Sequence, residues 1–328
     1  MLRVFDLFAG IGGFRLGFER EGYKCVGFCE IDKYARTLYK AYYKTEEKGE
    51  FEWDDIQTIP IDDIPDFDIL TAGFPCQSFS VMGKRRGLHD ERAYPLWRKM
   101  FEIVERKKPK ICVFENVKGL LSADRGWAFA FLLYQMAERG YDAEWSLFNS
   151  KAFGVPQHRE RIYIIFRLRG ECGREILPIR EVEKVYYKPP NAEKESSEDN
   201  KEIAIALTAR QYASWRGNFV CEPEIQQVGY IDKNYQAKRV YSPEGLSVTL
   251  AANGGGWGAK TGLYLVNGRI RRLTPLECFR LQGFPDDIYY KAKELGISDT
   301  QLYKMTGNSV TVQIPQSIAR KIRKVYNF

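Results

Sequence analysis

In the first half of the chain, short apolar runs alternate with stretches of helical period. The runs RVFDLFAG, KCVGFCE, FDILTAG, KICVFENV, AEWSLFN and RIYIIFRL have the length and β-branched or aromatic content of buried strands. Between them, FRLGFEREG, KYARTLYKAYYK, LWRKMFEIVERKK and WAFAFLLYQMAERG carry the spacing of one-faced helices. Strand and helix alternating in this way predict a doubly wound α/β sheet with helices on both faces, up to residue 168. ERKKPK closes the third of these helices, where positive charge suits a helix C-terminus. Cys25 and Cys29 fall on one face of the second strand and are expected to be core residues.

The pattern changes after Arg169. EVEKVYYKPPNAEKESSEDNKE, residues 181–202, is charged, contains a Pro-Pro step and reads as a linker or exposed loop. IALTARQYASWRGNFV and GLSVTLAANGGGWGAKTGLYLV follow, rich in Thr, aromatics and Gly, and suggest short strands joined by loops. Helical period returns near Ser298, and VQIPQSIARKIRKVY is the expected last helix. The division expected is a large domain of residues 1–168 plus 301–328 and a smaller one of 169–300.

Composition narrows the class. A chain of 328 residues with 44% hydrophobic content can bury one large core and a second smaller one. No run of about 18 apolar residues occurs, and the N-terminus enters a strand without a basic, apolar leader, so a cytoplasmic protein with no membrane association is expected. Seven cysteines, scattered and odd in number, form neither a disulfide framework nor a zinc spacing, and no metal is expected. The net charge of +7 is compatible with a polyanionic partner. More telling is where the basic residues stand: GKRRG (83–87), QHRER (157–161) and NGRIRRL (267–273) all fall in or beside loops.

DLFAGIGGFRLGFE places Asp6 at the end of the first strand and Gly10, Gly12 and Gly13 at the turn into a helix, where bare backbone can approach a ligand. The spacing does not complete GxGxxG, and no GxxxxGK[ST] is present, which argues against a phosphate-hydrolysing loop. Glu30 closes the next strand, where a carboxylate could accept both hydroxyls of a ribose. A nucleoside ligand is the expectation. Cys76, in ILTAGFPCQSFSVMGKRRG, follows a buried-looking strand and is either a packing residue or a nucleophile.

Taken in order, DLFAGIGGFRLGFE, GFPCQSFS, ENV, QHRER, RRLTPLECFRLQGFPD and GNSV resemble the motifs of the DNA (cytosine-5)-methyltransferases of bacterial, archaeal or phage restriction-modification type. The resemblance covers the chain apart from about residues 171–265. It implies an S-adenosylmethionine-dependent methyltransferase (Rossmann-like) sheet with a second, smaller target-recognition domain. Cytosine carbon 5 is a poor nucleophile, and a thiolate added at carbon 6 makes it an enamine that can attack a methyl sulfonium. The resemblance assigns that thiolate to Cys76, protonation at ring nitrogen 3 to Glu115 with Asn116 bracing the loop, and contact with the base to Arg161. Arg159 is placed beside it, supporting Arg161 or a phosphate. Phe8, Gly10, Ile11 and Gly12 are expected around the methionine part of S-adenosylmethionine, Glu30 at the ribose, and Asp55 with Ile56 at the adenine. Pro75 and Leu96 would line the pocket, and Asn308, Ser309 and Val310 would close it from the last helical region. That pairing requires the C-terminus to fold back onto the large domain. Ile31 departs from the family, many members of which carry an adenine-stacking aromatic there.

Chemistry at a ring face hidden in a duplex requires the nucleotide to be flipped out. The loop from Phe79 to Tyr94, with Ser80, Lys84 and Arg92 as candidate DNA contacts and glycines at 83 and 87, is expected to close over double-stranded DNA. Base reading is expected from the second regime, around residues 210–216 and 253–260, with no residue assignable to a base. A monomer is expected, with S-adenosylhomocysteine as product and a possible cognate restriction endonuclease acting separately. A tRNA cytosine-5 methyltransferase, a DNA-binding relative without catalysis, and a thiol hydrolase pairing Cys76 with His89 or His158 are the alternatives.

Overall fold

The computed structural model describes residues 1–75, 93–170, 175–179, 224–231, 234, 238–252 and 262–326. Strands β1 (Arg3–Leu7), β2 (Lys24–Cys29), β3 (Phe51–Trp53), β4 (Ile69–Ala72), β5 (Ile111–Val117), β6 (Tyr141–Asn149) and β7 (Glu160–Leu168) form one sheet. Its order is β3-β2-β1-β4-β5-β7-β6. All neighbours are parallel except β7, which runs antiparallel to β5 and β6. From β1 the chain winds first outward through β2 and β3 and then back across to β4 and β5. The crevice at the carboxyl ends of β1 and β4 is therefore the topological switch point, where open α/β sheets bind ligands.

Helices cover both faces. Helix α3 (Ala93–Lys107) and α4 (Trp127–Glu138) bury Trp97, Met100, Val104, Leu132 and Met136 against Phe5, Leu70, Phe114 and Ile164 of the sheet. Helix α3 ends with Arg106 and Lys107 in its last turn, and Lys108 follows at φ 47°. On the opposite face lie α1 (Gly13–Glu19), α2 (Lys33–Tyr43) and the last helix α8 (Gln313–Tyr326). The C-terminus does return to the first helix: Tyr23 Oη donates to the Ala319 carbonyl at 2.9 Å, and Arg320 pairs with Glu21 at 2.7 Å.

Cys25 and Cys29 are both buried, but on opposite faces of the sheet. The β1–β2 register shifts between Val4 and Phe5, so β2 carries a bulge that reverses its alternation. Cys25 Sγ lies 3.7 Å from Tyr39 Oη on the α2 side, while Cys29 packs with Phe5 and Leu7 beneath α3. Gly27, next to the bulge, lets β3 approach closely, since a Cβ there would stand 2.6 Å from the Phe51 carbonyl oxygen.

A second sheet, ordered β11-β10-β9-β8, is built from β8 (Gln227–Tyr230), β9 (Arg239–Tyr241), β10 (Leu263–Val266) and β11 (Arg269–Arg271). Its core is small: Tyr241, Val248 and Tyr264. Helix α5 (Pro275–Leu281) starts with a capping box between Thr274 and Glu277 and is followed by α6 (Asp286–Glu294) and α7 (Asp299–Asn308). Phe279, Phe284 and Ile288 share a core with Ile11, Ala35 and Leu38, so α5 and α6 pack on the large sheet's helical layer although residues 169–300 were expected to form the second domain. Among the described residues, no helix is long and apolar enough to cross a membrane.

Candidate active site

The glycine loop joins β1 to α1 at the carboxyl edge of the sheet. Phe8, Gly10 and Gly12 all have positive φ, at 54°, 56° and 82°. The turn is closed by the Gly12 N–H donating to the Ala9 carbonyl at 2.9 Å. A Cβ on Gly12 would strike the Tyr43 ring at 2.5 Å, whereas at Gly10 nothing lies within 4 Å of that position. The loop is thus propped from below and open above. Tyr43 Oη donates to the Gly12 carbonyl at 3.0 Å and approaches that of Ile11 at 3.4 Å. Under Tyr43 sits Arg15, 0% exposed, its guanidinium 4.2 Å from the Tyr43 ring centre and forked onto Glu50 at 2.6 and 2.8 Å. Arg15, Tyr43 and Glu50 were not anticipated from the sequence; the one signal is a charged residue beside the apolar positions Phe14 and Phe18 of α1.

Glu30 closes over this loop. Its carboxylate accepts the Gly10 N–H at 2.6 Å and the Asp32 N–H at 2.7 Å. Burial pushes the carboxyl above the usual range, and the two N–H donors work against that shift. Phe8 and Leu96 are half-buried against the core below the crevice, and Ile56 is buried, with the Asp55 carboxylate capping the turn that carries it. Pro75 is half-buried at the end of the segment that follows β4. Ile11 is fully buried under α2, so only its backbone can face a ligand. Ile31 is 66% exposed. From the C-terminal side, Val310 packs on Gly13, Ser309 is buried beside it and Asn308 is exposed. A backbone cradle open above Gly10, a carboxylate at the end of β2 and apolar walls suit a nucleoside with a charged tail, which is the shape of S-adenosylmethionine.

Across the crevice, β5 and β7 bring Glu115 and Arg161 together. Their register pairs Glu115 with Tyr163 and Val117 with Arg161, which puts the two side chains one diagonal apart. Arg161 Nε lies 3.3 Å from Glu115 Oε1, and both side chains are largely buried. Burial raises the Glu115 carboxyl above the usual carboxylate range, with Arg161 and then Arg159 opposing. Asn116 Nδ2 donates to the Phe74 carbonyl at 3.1 Å and fixes the end of the segment that leads to Cys76. Beside Arg161 opens a cavity of about 300 Å³, lined by Val117, Lys118, Gly119, His158, Glu160, Arg161 and Thr249. Thr249 and Lys118 were not anticipated; Thr249 is brought in by a bridge between Gln157 and Ser247, and its Oγ1 donates to the His158 carbonyl at 2.6 Å.

Glu160 and Arg161 line this cavity, whereas Arg159, only 2% exposed, does not and lies behind it, where the charges of Arg161 and Glu115 act on it. Its guanidinium donates to the carbonyls of Leu250, Gly307 and Ser309 at 3.3, 3.2 and 2.7 Å.

Cys76, Ser80, Lys84 and Arg92 lie outside the described residues. The described cysteines, Cys25, Cys29, Cys112 and Cys278, are all buried, and burial pushes each thiol well up, Cys25 and Cys278 to about 12. None of them is a poised thiolate.

Over its full length the chain is 38% identical to the type II methyltransferase M.HhaI of Haemophilus parahaemolyticus, covering 96% of that protein. It is 36% identical to the type II methyltransferase M.Bsp6I of Bacillus sp. (strain RFL6), with 99% of both chains covered. Among solved structures, the Dnmt2 methyltransferase of S. pombe superposes with a TM-score of 0.71 at 18% identity, covering 100% of both chains. A putative DNA modification methyltransferase of an E. coli prophage gives 0.69 at 17%, again over 100% of both, and the two together establish the fold. The family model for C-5 cytosine-specific DNA methylases matches residues 2–324, and the chain belongs to that family of DNA (cytosine-5)-methyltransferases.

Proposed function

We propose that this protein transfers a methyl group from S-adenosylmethionine to carbon 5 of a cytosine flipped out of double-stranded DNA, within a short specific sequence, through a covalent adduct of Cys76 at carbon 6. The observation that carries this reading is the buried Glu115–Arg161 pair at 3.3 Å, facing the crevice with its carboxyl inclined to keep a proton. Cys76 stands two residues beyond Phe74, whose carbonyl Asn116 holds.

The chemistry follows from these placements. The Cys76 thiolate adds to carbon 6 while Glu115 delivers a proton or strong hydrogen bond at ring nitrogen 3, so the added negative charge does not build up on the ring. Arg161 keeps the carboxyl oriented and borders the cavity into which the flipped nucleotide would extend. Carbon 5, now an enamine carbon, would take the methyl group as its bond to the sulfonium sulfur breaks and S-adenosylhomocysteine leaves; loss of the carbon 5 proton to a base, return of the ring nitrogen 3 proton to Glu115 and expulsion of the Cys76 thiolate would then restore the aromatic ring. S-adenosylmethionine, when bound, supplies the electrophilic methyl sulfonium. The glycine loop, Glu30, Asp55 and Ile56 hold it, with Phe8, Pro75, Leu96 and the segment Asn308 to Val310 around it. Ser80, Lys84 and Arg92 are assigned to the DNA backbone in this reading, and Arg159 supports the site without touching the base.

The test is transfer of labelled methyl from S-adenosylmethionine to duplex DNA and, separately, to total tRNA, followed by bisulfite sequencing of labelled DNA. Label confined to one short DNA sequence is expected. Label on tRNA alone would move the protein to an RNA substrate, and label on neither would leave a DNA-binding relative without catalysis.

A further inference from the structure

Helix α7 ends in carbonyls that have no partner within the helix, and two side chains from elsewhere take them up. Gln282 Nε2 donates to the Thr306 carbonyl at 2.8 Å and approaches that of Ser309 at 3.4 Å. Arg159 takes the Gly307 and Ser309 carbonyls with one nitrogen of its fork and reaches Leu250 with the other. Arg159 is compensated in two ways: the Glu115 carboxylate acts on it electrostatically, and the carbonyls at the negative end of α7 accept its N–H groups directly. Burial and the neighbouring Arg161 pull the guanidinium down to about 9, which leaves it charged at neutral pH. The contact on the far side is equally close: a Cβ on Gly307 would stand 2.5 Å from the Ala251 carbonyl carbon and the Ala252 nitrogen.

These bonds span two sites. Leu250 adjoins Thr249, which lines the cavity beside Arg161, and Gln157 holds Leu250 as well, accepting its N–H at 3.4 Å. At the other end, Ser309 lies against the glycine loop, and Lys304 of α7 pairs at 2.5 Å with Asp32, whose N–H is bound by Glu30. One guanidinium therefore touches both the backbone that borders the target cavity and the backbone that closes the cofactor cradle. We propose that Arg159 is a positioning residue that couples the two sites, so that filling the cofactor cradle orders the Leu250 segment and tightens DNA binding. The proposal rests on the functional reading above.

Coupling is measured as the ratio of DNA dissociation constants without and with S-adenosylhomocysteine, using a duplex that carries the methylated sequence. Wild-type protein should show tightening of about tenfold, within the usual range for linked sites. Arg159→Lys keeps the charge but cannot fork over three carbonyls, and its ratio should fall below about twofold. A residue of purely structural importance would weaken both ligands and leave the ratio unchanged, so a wild-type ratio in Arg159→Lys overturns the proposal. A wild-type ratio of one with both ligands bound overturns it too. Should Arg159→Lys fail to fold, amide hydrogen exchange on wild-type protein decides: S-adenosylhomocysteine alone should raise protection across residues 247–252, and unchanged protection there overturns the proposal. A wild-type protein that binds neither ligand overturns the functional reading itself, and the coupling with it.

Discussion

A carboxyl buried beside a guanidinium can serve as an acid only when burial outweighs the cation, and at Glu115 it does. Because its pKa is raised, the protonated form persists to higher pH than in an ordinary glutamate, and methyl transfer should decline as pH rises through that value. Glu115→Gln should lower kcat by about 10²–10⁴ and remove this limb of the pH profile. A pH–rate profile of both proteins checks it; an unchanged limb would mean that another group titrates. Cys76→Ala should abolish methyl transfer while DNA still binds in a mobility-shift assay, since only the covalent step is lost. Asp6 makes a different prediction. Burial lifts its carboxyl from 3.8 to about 7, against the Thr71 hydrogen bond and the Arg15 cation, and one carboxylate oxygen has no partner. With the folded pKa raised, the folded state holds a proton that the unfolded state has released between about 3.8 and 7. Stability therefore falls as pH rises through that window, and Asp6→Asn should flatten the fall in urea titrations at pH 4, 5.5 and 7, values chosen to bracket roughly that range.

At the scale of elements, α1 and α8 meet where a glycine lets their backbones touch. A Cβ on Gly17 would lie 2.7 Å from the Gln316 nitrogen and 2.9 Å from the Val312 carbonyl oxygen, both backbone atoms that cannot swing aside. Gly17→Ala should destabilise the protein by about 1–3 kcal/mol through overpacking, although the change favours a helix in isolation. Denaturant midpoints of the two proteins measure it, and a stabilised variant would contradict the packing. Most elements were legible because their apolar runs are long enough to bury only one way: β5, β7 and α8 all lie where the pattern put them. The paired face of Cys25 and Cys29 was not, because one bulge beside Gly27 reverses a period of two and leaves no trace in hydropathy. The partners of Arg159 were not legible for a related reason. The residue precedes β7, where alternation no longer governs direction, and its partners are backbone carbonyls from Leu250, Gly307 and Ser309.

At the scale of the whole molecule, a net charge of +7 and the basic stretches of the sequence predict steep salt dependence of DNA affinity. Raising salt from about 50 to 200 mM should weaken binding by about 10³-fold or more if six or so phosphates are contacted. A flat response in fluorescence anisotropy would count against a duplex-binding cleft. The chain by itself determined the fold class, the order of the motifs and where the candidate residues stand, with their roles implied by the family resemblance: glycines in a β1–α1 turn, an acid ending β2 and another in β5, a cysteine after Pro75. These are local matters, set by hydrophobic period, by backbone freedom and by the reactivity of single side chains. Tertiary structure alone decided the contacts between distant segments: Arg15 and Tyr43 beneath the glycine loop, Thr249 beside Arg161, and Arg159 spanning Leu250 and the end of α7. A backbone carbonyl is the same group at every position in a sequence, and only folding selects which one a buried guanidinium will find.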